Sequence, residues 1–507
     1  MISQHPDLSS REARTSLPRV PSQDPTAPIW LWFGALAVFL LVARLCHLGV
    51  LWVDEAYGMA AAQALWGGKA LYRDIWFDKP PLYAWFYLLA PQPGIALRVL
   101  DAAFSLLCCW LSWGVARSLF REWEGRMASL LMALFLVFGI PSAVVSVAPD
   151  MLTIPFALGM AWKAARSRYF AAGALAGLAL LANGKALYLL PVVCLWTFLR
   201  DPLSLPRTVG GYLVGLVGAL APVAILGGLP GYWAQVWEWG AVYSRDTFVT
   251  NPVREGLLRT ANWAGFHAAL VLPALWFLRM QRKARGDRRS TVLAAWLVLA
   301  LLSVAGGLRF FPRYYFALLP VAAVLAAAGL RLMPTRLRIA LLMATLAIPV
   351  VRFGKPQVQI AWETMTTGTT TNRDLALWRD AVDAAGGIRP AIATEPGSHP
   401  ADTVLVWGYR PEMTVLLGMP PATRFLDSQP LTGVIADRHL SSSQVSYPEL
   451  AKANRLELLR NQPTWIADGL GPLNPELGIE RYPELRDWLG QYEIAFQNQS
   501  FRIYRRK

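Results

Sequence analysis

The chain has 507 residues, 55% of them hydrophobic and only 16% charged, where a soluble protein carries roughly a quarter charged residues, and its mean hydropathy of +0.36 excludes an ordinary soluble globular protein. The net charge of +15 does not mark a nucleic-acid binder, because Lys and Arg fall in short clusters between apolar runs instead of along one face. Cys46, Cys108, Cys109 and Cys194 all lie inside apolar runs, which excludes a disulfide framework or a metal knuckle.

Residues 1–27 are polar, rich in Pro and Ser, and carry Arg11, Arg14 and Arg19. They read as a disordered cytoplasmic tail, since no small-residue cleavage site follows the first apolar run. Residues 28–353 then form successive apolar runs of about 17 to 25 residues, each long enough for a bilayer core. The spans fall at 28–50, 95–119, 127–147, 151–168, a broken pair in 170–199, 209–228, 262–278, 291–308, 314–330 and 338–353. The count is about 11 transmembrane helices. Arg117, Arg121 and Arg126 share one loop; Lys163, Arg166 and Arg168 another; Arg200 and Arg207 a third. The run at 279–289 and Arg331, Arg336 and Arg338 complete the set. All fall on the side of the tail, so the positive-inside rule puts the opposite loops, and residues 354–507, outside the cytoplasm in a multi-pass plasma (inner) membrane protein.

The outer loops carry acids and aromatics. Residues 51–94 have Ala, Leu, Met and Trp at helical spacing and suggest helices lying in the membrane interface, with Trp66, Trp76 and Trp85 as belt anchors. In the broken pair, half-length segments flank Asn183, Gly184 and Lys185, so irregular backbone must be buried or face a cavity.

The candidate chemistry is gathered on that outer side. Asp54 and Glu55 follow the first span in WVDEAYG, beside Trp52 and Tyr57, where desolvating two carboxylates is costly without a purpose. Asp78 and Lys79 stand before Pro80 and Pro81, which restrict the backbone. Asp150 lies between two spans, and Arg309, Arg313 and Tyr314 belong to RFFPRYYFALLP. Topology thus predicts a non-cytoplasmic cavity of acids and bases. Three carboxylates, Asp54, Glu55 and Asp150, could hold a divalent cation; no cofactor is otherwise required. The lone His267 in NWAGFHAAL reads as structural.

DE after the first span, DKPPLY, an acid between the third and fourth spans, and an RYY segment entering a late span together resemble the GT-C glycosyltransferases. The branch that they resemble holds the protein O-mannosyltransferases and the lipid A aminoarabinose transferase. The resemblance covers residues 28 to 353, and DTVLVWGYRPEMTVLLGMPPATRF is similar to the exported domain of bacterial members. It implies an α-helical polytopic membrane fold and a sugar donor on a polyprenyl phosphate. It also implies that Asp54 acts as general base toward an acceptor lipid, polysaccharide or protein outside the cytoplasm, with inversion. Glu55, Tyr57, Asp78, Asp150, Lys185, Arg309 and Tyr314 would bind substrate, with Lys79 and Arg313 stabilising the leaving phosphate. An acceptor phosphate would arrive deprotonated and leave Asp54 only a positioning or metal-binding role. The family's Thr-Lys-Gly stands here as Asn183-Gly184-Lys185, which puts the role of Lys185 in doubt.

Residues 354–507 read as a small α/β domain, with a helix from about 373 to 386 and strands in TVLVWG, PTWIAD and EIAFQNQSFRIYRR. They hold no nucleophile elbow, zinc spacing or phosphate loop. A glycolipid transporter or flippase is the rival class and a noncatalytic envelope scaffold a third. The two halves show no internal repeat and the acids sit at the rim, which weighs against transport.

Overall fold

The computed structural model of the chain describes residues 27–245, 250–283, 288–393 and 402–507. The tail expected at 1–27, apart from its last residue, and positions 284–287 of the basic run lie outside them. Helices dominate. The first, α1 (Ile29–Leu45), is followed in the first long loop by α2 (Val53–Trp66) and the short α3 (Leu82–Tyr87), then by α4 (Ile95–Leu119) and α5 (Glu122–Phe135).

Four helices among the described residues are long and apolar enough to cross a membrane: Ile95–Leu119, Pro202–Ile225, Arg288–Ala305 and Thr335–Thr367. A pair bent by 96°, Pro252–Phe266 and Ala268–Arg282, makes a fifth if counted as one span. The other apolar runs are carried by shorter helices such as Ile154–Ala165 and Leu319–Leu332. Thr335–Thr367 leaves Met343, Val351, Val358 and Trp362 exposed, and Leu205–Ile225 leaves Leu213, Val214 and Val217 exposed. An apolar outer face of this kind suits lipid rather than water.

The broken pair is two half-length helices, Tyr169–Leu178 and Leu189–Arg200, joined through the 3₁₀ turns Ala179–Leu181 and Gly184–Tyr188. The Asn183 side chain accepts a hydrogen bond from the Lys185 backbone N–H at 3.0 Å, which caps the second turn. Close packing holds the first half-helix. A Cβ on Gly173 or Gly177 would run into the carbonyls of Thr208 and Tyr212, and one on Gly211 or Gly215 into those of Phe170 and Ala174. Glycines four apart on both helices let the backbones touch, the usual device where lipid offers no hydrophobic drive for association.

The first loop is more enclosed than helices resting in the membrane interface would be. Helix α2 is buried along most of its length and packs on α3 and on the short helix Glu412–Leu417. The helix that begins at Thr335 also runs past the domain boundary read at 353/354, for 33 residues, and stops where Gly368 takes a left-handed conformation (φ 75°).

Beyond it lies a four-stranded sheet of order β1-β2-β4-β3. β1 (Val404–Trp407) pairs parallel with β2 (Trp465–Asp468), and β4 (Arg502–Arg506) runs antiparallel to both β2 and β3 (Tyr492–Gln497). β1 and β2 are buried on both faces, packed by the helices Ala376–Ala393 and Pro448–Leu458 and their neighbours. Gly177→Leu is expected to destabilise the fold by roughly 1–3 kcal/mol or more, read as a lower melting temperature in detergent. A wild-type melt would show that the helix backbones do not meet there.

Candidate functional site

Stretches far apart in the chain enclose a cavity of about 410 Å³. Asp54 enters it from the first turn of α2, Asp78 and Lys79 from the segment before α3, and Asp150 from the turn after Pro149. Lys185 comes from the break between the half-helices. Arg309, Arg313 and Tyr314 come from the segment before Leu319–Leu332, and Tyr409 from the loop after β1. The chain is strained where it delivers the arginines: Leu308 (φ 54°) and Phe310 (φ 50°) are left-handed although neither is glycine. Such backbone persists only when its surroundings hold it. The Arg309 guanidinium supplies that hold, paired with Asp437, donating to the Tyr243 carbonyl at 2.7 Å and lying 3.7 Å from the centre of the Tyr243 ring.

Most charges in the cavity are paired. Arg313 meets Asp54. Lys79 Nζ donates to Asp78 Oδ2 at 2.6 Å, and the other Asp78 oxygen accepts from the Tyr57 hydroxyl at 3.1 Å. Asp150 accepts from the Asn183 amide at 3.0 Å. Lys185 differs: its ammonium lies over the Tyr314 ring and is buried without a hydrogen-bond partner.

Two of the residues singled out in the sequence are not brought to the cavity. Glu55 is fully buried on the opposite side of α2, where Arg98 of α4 binds both its oxygens, at 2.5 and 3.1 Å, and the Trp52 backbone N–H donates to it at 2.9 Å. Tyr57 is buried behind Asp78, stacked on Phe77. His267 stacks on Trp263 and against Phe135. Tyr83, Trp237, Tyr243 and Tyr409 line the cavity and were not foreseen. DKPPLY contains Tyr83, but only the fold brings the other three near Asp54.

The family model described as dolichyl-phosphate-mannose-protein mannosyltransferase matches residues 78–226. The chain is similar to ArnT from Cupriavidus metallidurans bound to undecaprenyl phosphate, at 16% identity and a TM-score of 0.56, covering 94% of this chain and 97% of that one. ArnT in the apo state gives a TM-score of 0.50 at the same identity and coverage. The Archaeoglobus fulgidus oligosaccharyltransferase, in complex with Zn and sulfate, is similar at 13% identity and a TM-score of 0.50, over 91% of this chain and 71% of that one. These proteins are GT-C glycosyltransferases. The chain has the GT-C fold. No curated protein matches it in sequence.

The three carboxylates considered for a divalent cation do not converge in this cavity. Asp54 turns to Arg313, Glu55 to Arg98 and Asp150 to Asn183, and no cluster of three or more potential ligands occurs among the described residues. A further acid stands behind the site. Burial first, and the Asp78 charge second, push the Asp427 carboxyl up to about 7. A carboxyl raised in the folded state contributes stability that is fully present below its unfolded value of about 4 and is lost as pH rises through about 7. Melting temperature should therefore fall between pH 4 and pH 7, and Asp427→Asn should flatten that fall. An unchanged profile in the variant would remove Asp427 as its source.

Proposed function

We propose that the chain is a multi-pass membrane glycosyltransferase with about eleven spans. It moves a sugar from a polyprenyl-phosphate donor to a hydroxyl on an acceptor outside the cytoplasm. The observation that carries this reading is Lys185, a buried ammonium without a hydrogen-bond partner that shares one cavity with Asp54, Lys79, Asp150 and Arg313. An unpaired buried cation is costly to maintain, and a phosphate would satisfy it.

In the proposed reaction the acceptor oxygen attacks the anomeric carbon on the face opposite the phosphate. The new C–O bond forms as the bond from that carbon to the phosphate oxygen breaks. The electron pair leaves with the polyprenyl phosphate, and the acceptor proton passes to Asp54, so the carbon is inverted. Lys185 and Lys79 act as point charges on the leaving phosphate, and Arg313 offers a two-pronged donor. The phosphate competes with Asp54 for Arg313, so donor binding would uncover the base where the acceptor hydroxyl arrives. Asp150, steadied by Asn183, binds sugar hydroxyls. Arg309 is already engaged with Asp437 and shapes the wall together with Tyr314.

With purified protein in nanodiscs and a panel of undecaprenyl-phosphate sugars, Asp54→Asn should lower turnover by about 10²- to 10⁴-fold. Lys185→Met should raise the half-saturating donor concentration roughly tenfold or more. Wild-type turnover in Asp54→Asn, or no donor consumed by the native protein across the panel, would sink the reading. Reporter fusions should place the 200–207 loop in the cytoplasm and residue 507 outside it. A cytoplasmic C-terminus would reverse the proposed topology.

A further inference from the structure

A second cavity, of about 400 Å³, lies between the start of α2 and the sheet-bearing C-terminal part, and Tyr409 lines both it and the charged cavity. Trp52 and Val53, which immediately precede Asp54, form part of its wall. Tyr409 therefore stands between the two spaces, and Asp54 follows directly on the second cavity's wall.

Its lining combines flat aromatic faces with held but incompletely used polar groups. Trp52, Trp378 and Tyr409 supply the faces. Arg410 Nε donates to Glu412 Oε1 at 2.6 Å and Arg410 Nη2 to the Leu377 carbonyl at 2.6 Å, which locks both side chains. Yet Arg410 Nη1, Glu412 Oε2 and Trp52 Nε1 have no hydrogen-bond partner, although these residues are only 2%, 4% and 3% exposed. Buried polar atoms are nearly always satisfied, so open ones call for an explanation. Here two unsatisfied donors and one unsatisfied acceptor belong to residues that, together with aromatic rings, line one concave space.

We propose that this cavity binds the acceptor of the transfer reaction and that the acceptor is an uncharged carbohydrate, which presents a hydroxyl past Tyr409 to Asp54. The assignment rests on the transferase reading above. A sugar ring matches the lining because its C–H face packs on an aromatic ring while vicinal hydroxyls both donate and accept. The charges select against an anion. Arg410 and Glu412 offset one another, and Asp374 adds a further carboxylate to the lining. Burial, with Arg410 nearby, holds the His439 imidazole down at about 4 and so neutral. A phosphate here would face two carboxylates and one guanidinium that is already engaged. An uncharged hydroxyl, unlike a phosphate, also requires a base.

Saturation-transfer NMR on the full-length protein in nanodiscs tests this with methyl glycosides of common hexoses and N-acetylhexosamines, alongside a peptide bearing Ser and Thr. At least one glycoside should bind saturably, and Trp378→Ala should weaken it at least tenfold at a temperature well below the variant's melting point, which falls because Trp378 also packs on the main core. Asp374 is exposed, so Asp374→Asn provides a second variant without a folding penalty and should weaken the same glycoside severalfold. No glycoside binding, equal binding in both variants, or capture of the peptide alone overturns the proposal. Donor consumption, measured separately, distinguishes the two readings. A native protein that consumes donor but binds no glycoside refutes the carbohydrate site alone. One that binds glycosides but consumes no donor keeps the site and refutes its role as acceptor site.

Discussion

Arg98 gathers the buried charge on which the start of α2 rests. Its guanidinium holds both oxygens of Glu55 and one of Asp101, and also donates to the carbonyls of Val50 and His47 at 2.8 and 3.2 Å. Arg44 lies in the same interior and is spent on the carbonyls of Val144 and Leu136 and on Ser105. Two arginines and two carboxylates sum to zero, and each finds partners, which is the condition for keeping ions out of water. The knot ties α1, α4 and the first turn of α2 together. Successive helix residues project about 100° apart, so locking Glu55 inward turns Asp54 to the other side, toward Arg313.

The same logic of paired charge organises the cavity. Lys79 pairs with its neighbour Asp78, whereas Arg313 with Asp54 and Arg309 with Asp437 join residues from distant segments, so these two pairs also act as struts between elements. Lys185 stands apart because its backbone is set by the Asn183 cap while its ammonium is left to a ring face. The glycine contacts between Tyr169–Leu178 and Leu205–Ile225 hold the half-helix that leads into that break.

The C-terminal part contributes one wall of each cavity. β1 is buried on both faces and ends at Trp407, and Gly408, at φ 113°, makes a turn that a side chain would resist. That turn delivers Tyr409 to both spaces and Arg410 to the second. Trp76 of the first loop bridges to Phe425 through a short β contact and ring packing, so the loop bearing Lys79 is clamped from the same side.

Hydropathy and charge clustering by themselves determined the membrane class, the order of the apolar segments and the break around Asn183, because the bilayer acts on each segment locally. The acids and bases in the loops between apolar runs were legible for the same reason: a charge beside an apolar run stands out wherever it is placed. Only the tertiary structure separated Asp54 from Glu55, since adjacent carboxylates look alike until a partner such as Arg98 claims one. It also decided that Tyr409 and Asp427 stand near residues more than 300 positions earlier, and that the helix from Thr335 continues to Thr367. Backbone hydrogen bonding does not stop where hydropathy falls, and contacts between distant segments leave no periodic trace in either one.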